Sequence, residues 1–150
     1  MRELNRIIIH ATATLGDKRG DVDVETVRRW HVDGNGWADV GYHFLIRQDG
    51  TIERGRELNV QGAHAKGYNR DSVGVAFCGG IGVTSREPED TRTPEQRKSL
   101  QWLVRGLCYF FPTIVEVIGH RDVSRKACPC FDARAEYQHL TNGKEPKPGA

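Results

Sequence analysis

Short apolar runs, separated by polar and glycine-rich segments, recur along this chain of 150 residues. The runs at 6–12 and 114–118 contain consecutive aliphatic residues, which is typical of strands buried on both faces. Segments 42–47 and 51–56 flank an Asp-Gly pair, a strong signal for a β-hairpin. A further β-rich run at 72–78 ends in two glycines. The pattern therefore predicts about five strands.

Three other segments show helical features. The longest begins at Thr93, which can cap a helix, and continues with a proline in the first turn and a glutamine that completes a capping box. Pro112 stops this helix. We expect shorter helices at 24–32 and 132–140, and a polar loop at 80–92. The resulting order predicts an α/β fold in which a single central mixed sheet of about five strands is packed by about three helices.

Composition and charge describe an ordinary globular domain. The hydrophobic fraction is 37%, the charged fraction is 28% and the net charge is +2, with an isoelectric point near 8.4. This charge is too small to indicate a nucleic-acid-binding face. The N-terminus leads into only three consecutive isoleucines, which is far short of a signal peptide or a membrane span. We therefore expect synthesis in a cytoplasm, no membrane span and no nucleic-acid partner.

Three potential metal ligands stand at the ends of predicted strands or just beyond them. His10 ends the first apolar run and His120 follows the last one, with Cys128 eight residues further on. If the two strands are neighbours in one sheet, both imidazoles meet at its edge and the following loop can add the sulfur. Two histidines and a cysteine form a zinc set with an open fourth position, as in catalytic sites. The alternative for each histidine is an inert, hydrogen-bonded residue at a strand end.

Cys130 competes with Cys128 for the role of thiol ligand. A disulfide between the two would close a very small ring that Pro129 stiffens, so its geometry is unfavourable. We interpret Cys128 as the ligand and Cys130 as a bystander. Cys78 and Cys108 have the surroundings of core thiols, and a chain without an export signal favours reduced cysteines or metal ligands over disulfides.

Three further side chains are candidates for chemistry. Tyr42 opens a strand beside His43, and alternation places the two on opposite faces, so only one of them can face the metal. Lys126 lies two residues before Cys128 and could stabilise an oxyanion beside the metal, although most loop lysines are simply solvated. His64 lies in a loop of small residues, where a lone histidine is usually just exposed.

Taken together, these residues and their flanking motifs resemble the zinc-dependent N-acetylmuramoyl-L-alanine amidases of the amidase-2 and peptidoglycan-recognition family. The likeness is greatest to the small amidases of T-odd phages that are called lysozymes, and it extends over nearly the whole chain. The segments that carry it are Arg29-Trp30-His31, Gly36-Trp37, Asp39-Val40-Gly41-Tyr42-His43-Phe44, Asp49-Gly50-Thr51, Gly62-Ala63-His64-Ala65-Lys66-Gly67-Tyr68-Asn69, Ser72-Val73-Gly74-Val75 and Lys126-Ala127-Cys128-Pro129.

The resemblance implies site residues of three kinds: the zinc ligands His10, His120 and Cys128, the catalytic side chains Tyr42 and Lys126, and His64 in the substrate groove. The implied reaction is hydrolysis of the lactyl–L-alanine amide bond of peptidoglycan by a zinc-activated water molecule. Lys126 would stabilise the tetrahedral oxyanion. Tyr42 would orient the water or the intermediate, because a tyrosine with an ordinary pKa near 10 is a poor base at pH 7; the alternative role is proton shuttling.

The same resemblance implies the partners and the location. We expect a monomeric phage endolysin that is made in the host cytoplasm and reaches the peptidoglycan after another protein permeabilises the membrane. The alternatives are a non-catalytic peptidoglycan-binding module, which usually lacks the cysteine ligand, and a protein that inhibits a phage RNA polymerase. Relatives with the latter activity use an N-terminal region, and here only nine residues precede His10. We expect the zinc amidase domain to span 1–142 and a flexible tail to span 143–150.

Overall fold

The computed structural model describes residues 1–141 and contains the predicted mixed sheet of five strands. In chain order the strands are β1 (Arg6–Ala11), β2 (Thr14–Leu15), β3 (Phe44–Ile46), β4 (Ile52–Arg54), β5 (Ser72–Phe77), β6 (Gly80–Ile81) and β7 (Glu116–Gly119). The main sheet has the order β4-β3-β5-β1-β7. The β3–β4 hairpin is antiparallel, whereas the other neighbouring strands are parallel.

The side chains of β1 alternate between two apolar layers. Ile7 and Ile9 belong to the larger core on one face of the sheet, whereas Ile8 belongs to a smaller cluster on the other face. All six residues of β1 are buried, which explains why the sequence of this strand is continuously apolar. His10 has the same parity as Ile8 and therefore lies on the face opposite the larger core.

Within residues 1–141, three α-helices cover the sheet, as predicted. The longest, α2 (Pro94–Phe110), packs against the larger core together with α3 (Ala133–Tyr137). The capping box at its start is present: Thr93 accepts from the backbone N–H of Gln96, and Gln96 accepts from the backbone N–H of Thr93. The remaining helix, α1 (Val24–Arg29), continues as a π-helical turn, and its Val27 packs on the opposite side of the sheet.

The predicted loop at 80–92 is partly wrong, because it contains a strand. β6 pairs in parallel with β2, and the two form a small separate sheet. Each of these strands has only two residues, too few to show a periodic pattern in the sequence. Their pairing joins segments that lie more than sixty residues apart, so it depends on the tertiary fold. β2 begins shortly after β1 ends at Ala11.

Two expectations concern the ends and the membrane. No helix within residues 1–141 is long and apolar enough to cross a membrane. The predicted tail at 143–150 and the predicted domain limit at 142 lie outside the described residues.

The predicted core thiols are confirmed, since Cys78 and Cys108 are buried and unbridged.

Candidate metal centre and active site

Parallel pairing of β1 with β7 brings two histidines together at one end of the sheet. Ile9 lies opposite Gly119 in the ladder, so the next residues, His10 and His120, leave the two strands side by side. Their ring centroids are 4.6 Å apart. Both side chains are buried. The meeting of the two imidazoles therefore follows directly from the strand register.

The loop after β7 returns to this point and adds a thiol. The potential ligand atoms of His10, His120 and Cys128 all lie within 4.8 Å of one another. The backbone N–H of Ala11 donates to Sγ of Cys128 at 3.1 Å, which anchors the sulfur beside the end of β1. The thiol of Cys130 points elsewhere and donates to the carbonyl of Gly80 at 3.5 Å. Among the described residues, only Cys128 joins the two histidines.

The electrostatics of these three residues suit a bound cation. Burial lowers the pKa of His10 and His120, and the neighbouring charge of Lys126 lowers both further. Both imidazoles are therefore neutral at pH 7, the form that coordinates a metal. Burial raises the pKa of the Cys128 thiol to about 11, and metal binding would displace its proton. Two neutral imidazoles and one thiol form a donor set that fits zinc with one position left open.

Tyr42 lies beside the metal-binding residues, just before β3. Its ring centroid is 5.2 Å from that of His10. Burial raises the pKa of its phenol well above the ordinary value, with the Cys128 and Cys78 thiols as smaller causes, so the group stays protonated and can donate a hydrogen bond. The prediction that Tyr42 and His43 lie on opposite faces is wrong, because both residues precede β3, where strand alternation does not apply. The ring of His43 lies close to that of His64, with centroids 5.8 Å apart, and its Nδ1 accepts from the N–H of Gly74 at 3.0 Å.

Lys126 is exposed and lies on the loop between His120 and Cys128. Its backbone N–H donates to Oγ of Ser124 at 3.2 Å, which helps to shape the loop. The residue lines the same cleft as the potential ligands. This cation in the cleft lining can pair with an anion that forms in the cleft.

His64 is buried rather than exposed, contrary to what is usual for a lone histidine in a loop. Its Nδ1 lies 2.8 Å from Nε2 of His10, and the two rings meet edge to face with centroids 4.9 Å apart. Burial lowers the pKa of His64, and the nearby His43 and His120 lower it further. The loop therefore places His64 in contact with His10, a candidate metal ligand.

A cleft of about 270 Å³ collects all the candidate residues. Its lining includes His10, Tyr42, His64, His120, Lys126 and Cys128. A wider depression of about 570 Å³ continues from it, and five lining residues are common to both: Trp37, Ala63, His64, His120 and Lys126. Together they form a continuous groove, in which His10 and Cys128 line the smaller cleft and His120 lines both parts.

Sequence reasoning missed His31, which also lines the cleft. The backbone N–H of Gly41 donates to its Nδ1 at 2.8 Å, so the proton of the neutral ring sits on Nε2. The ring packs against Trp37, with centroids 4.7 Å apart. A signal was available, because His31 belongs to one of the motifs noted above, but its position on a helix gave no indication of chemistry.

Comparison with known proteins assigns the family. Residues 1–131 match the N-acetylmuramoyl-L-alanine amidases. The chain belongs to this family. The amidase is 44% identical over 131 residues to an endolysin of Enterobacteria phage K11, a match that covers 87% of this chain and 83% of the relative. It is 41% identical over 132 residues to an endolysin of Escherichia phage T7, covering 88% and 84% respectively.

A solved structure agrees with this assignment. The amidase superposes on the N-acetylmuramoyl-L-alanine amidase LysC from Clostridium intestinale URNW with a TM-score of 0.75 and 31% identity. The match covers 94% of this chain and 85% of the other. The chain is therefore a peptidoglycan amidase, and the cleft with its His-His-Cys cluster is its candidate active site.

Proposed function

We propose that this amidase is a zinc-dependent phage endolysin that hydrolyses the lactyl–L-alanine amide bond of bacterial peptidoglycan. The observation that carries the proposal is the convergence of His10, His120 and Cys128, whose potential ligand atoms lie within 4.8 Å of one another in the lining of the cleft. Zinc is the ion that best suits two imidazoles and one thiolate. When bound, it would activate a water molecule and polarise the scissile carbonyl.

Lys126 and Tyr42 are proposed to act on the charge that develops at the carbonyl oxygen. Lys126 lines the cleft, and its cationic end can pair with the tetrahedral oxyanion. The phenol of Tyr42 stays protonated because burial raises its pKa. It therefore serves as a hydrogen-bond donor that orients the attacking water or the intermediate.

The groove is proposed to hold the glycopeptide across the cluster. The wider depression is lined by Ala63, Ala65 and Gly67, whose small side chains allow close approach to the backbone. His64 borders both depressions, so a substrate that runs along the groove passes its ring. The cellular setting proposed here follows the phage relatives: synthesis in the host cytoplasm, and action on the peptidoglycan layer after the membrane is permeabilised.

Digestion of purified peptidoglycan tests the reaction. We expect new free amino groups on L-alanine and intact glycan chains. New reducing sugar ends without new amino groups would show cleavage of the glycan instead and would contradict the amidase assignment. Cys128→Ala should abolish the activity and lose zinc, whereas Cys130→Ala is the matched control and should retain both. The opposite pattern would identify Cys130 as the ligand.

A further inference from the structure

A chain of buried hydrogen bonds leads from the metal-binding cluster into the core. Nε2 of His10 lies 2.8 Å from Nδ1 of His64, and Nε2 of His64 lies 3.3 Å from Oγ of Ser72. All three side chains are buried. Both ring nitrogens of His64 are therefore engaged inside the protein, which leaves neither of them free for a substrate.

Two glycines form a slot that the ring of His64 fills. A Cβ atom added to Gly74, in the middle of β5, would lie 2.6 Å from Cγ and Cδ2 of His64. A Cβ atom added to Gly62 would lie 2.7 Å from Cδ2 of the same ring. Any other residue at Gly74 would displace the imidazole, since real Cβ atoms essentially never approach other atoms this closely. The two glycines therefore fix the position of the His64 ring in contact with His10.

The backbone that carries His64 is also held. Oδ1 of Asn69 accepts from the backbone N–H of His64 at 3.0 Å and from that of Ala65 at 2.9 Å. This side chain closes the loop on itself, just before β5 begins. The loop, the slot and the hydrogen bond to Ser72 together hold the ring in place.

We infer that His64 is a positioning residue which, held by Ser72 and the glycine slot, orients the ring of His10 for metal binding; this inference rests on the proposed function. Because Nε2 of His10 faces His64, Nδ1 is the nitrogen left for the metal. Nε2 of His10 then carries the ring proton and donates it to Nδ1 of His64, and Nε2–H of His64 donates to Ser72. In this series of hydrogen bonds, each ring nitrogen of His10 and His64 then has a single role as donor, acceptor or metal ligand. His64 would affect the reaction through His10, without binding the substrate by its ring nitrogens.

The test compares His64→Leu with His64→Asn in the full-length protein. The Asn side chain places an acceptor near the position of Nδ1, whereas Leu fills similar space without one. Zinc affinity is measured by competition with a chromophoric chelator, and the cobalt-substituted proteins are compared by their ligand-field spectra. Loss of a partner of this kind typically weakens metal binding by about 10–100-fold. We expect that loss, with a changed cobalt spectrum, for His64→Leu, and recovery of most of the affinity for His64→Asn.

Two separate glycine-to-alanine substitutions provide an independent test and its matched control. Gly74→Ala should displace the ring and weaken zinc binding as His64→Leu does. Gly106→Ala is the control, because a Cβ atom there, in α2, meets nothing within 4 Å. It should leave both zinc affinity and the cobalt spectrum unchanged.

The possible outcomes distinguish a failure of the positioning role of His64 from a failure of the proposed zinc-dependent function. If His64→Leu bound zinc with wild-type affinity and gave the wild-type cobalt spectrum, the positioning role would be wrong while the zinc enzyme would stand. If His64→Asn were as weak as His64→Leu, the hydrogen bond to His10 would not be the cause. A wild-type protein that bound no zinc would overturn the proposed function and this inference with it.

Discussion

At the scale of single residues, burial determines the protonation of the candidate ligands. His10 and His120 are neutral at pH 7 because burial lowers their pKa, so neither has a proton to lose when a cation binds. The Cys128 thiol has a pKa of about 11 and is protonated at the same pH. The three ligands thus differ in whether protons compete with the metal.

This difference predicts the proton balance of zinc binding. At pH 7 we expect the protein ligands to release about one proton per zinc ion bound, from the Cys128 thiol, and the zinc-bound water to release up to about one more. Because the thiol pKa lies above the working range, zinc affinity should rise at least about tenfold per pH unit between pH 7 and 9, and more steeply as the zinc-bound water ionises. Calorimetric titration in buffers of different ionisation enthalpy measures the release. Release of about three protons would show that the histidines are also charged before binding.

A second prediction at this scale concerns Tyr42 and Lys126. Loss of one donor to an oxyanion typically costs about 10²–10³ in turnover. Tyr42→Phe and Lys126→Ala should each lower turnover to that extent and leave zinc bound, because neither residue belongs to the His-His-Cys cluster. Arg125→Ala is the control, as this neighbouring cation lines neither depression. Near-normal turnover of Lys126→Ala would show that Lys126 is a solvated loop residue without a role in catalysis.

At the scale of elements, the start of α2 joins the helix to the sheet. Oγ1 of Thr93 accepts from the N–H of Gln96 at 3.0 Å and donates to the carbonyl of Gln48 at 2.6 Å. The side-chain amide of Gln96 donates to the carbonyls of Ile46 and Cys78, at the ends of β3 and β5. The capping box that the sequence predicts therefore also fixes where the helix lies on the sheet.

Removal of this cap should destabilise the fold measurably. Thr93→Ala loses the hydroxyl and should lower the free energy of unfolding by about 1–2 kcal/mol. Thr93→Ser keeps the hydroxyl and should lie close to the wild type. Urea denaturation of the zinc-free proteins measures both, so that metal binding does not contribute. Equal losses for the two variants would show that the methyl group, and not the cap, provides the stability.

At the scale of the whole molecule, the candidate ligands join the two ends of the described chain. His10 lies on β1 near the start, whereas His120 and Cys128 follow β7 near the end. The ligands converge only when β1 and β7 have paired, so the unfolded chain has no such site. A metal that binds the native state alone stabilises it by mass action.

Removal of the metal should therefore lower the thermal midpoint of the whole domain. An ion present at about 100 times its dissociation constant stabilises the native state by about 2.7 kcal/mol, and EDTA should abolish that contribution in the wild type. Cys128→Ala should melt at the same temperature with and without EDTA. An equal effect of EDTA on the two proteins would place the metal elsewhere in the structure.

Much of this architecture could be predicted from local pattern. The strands, the capping box and the turn at Asp49-Gly50 depend on near neighbours in sequence, and the structure confirms them within a few residues. The two-residue strands β2 and β6 could not be predicted, because their pairing joins distant loops. The prediction that His10 and His120 would meet needed one assumption, that their strands are neighbours, and the β1–β7 pairing supplies it.

Sequence alone determined which residue types stand at the strand ends, and the resemblance it carried indicated the reaction before any geometry was known. Only the tertiary structure decided the environment of His64. Its burial, its contact with His10 and its slot between Gly62 and Gly74 arise from segments brought together by the fold. The physical reason is that periodicity reports which face of an element a residue occupies, whereas loop packing is specified by contacts that are distant in sequence.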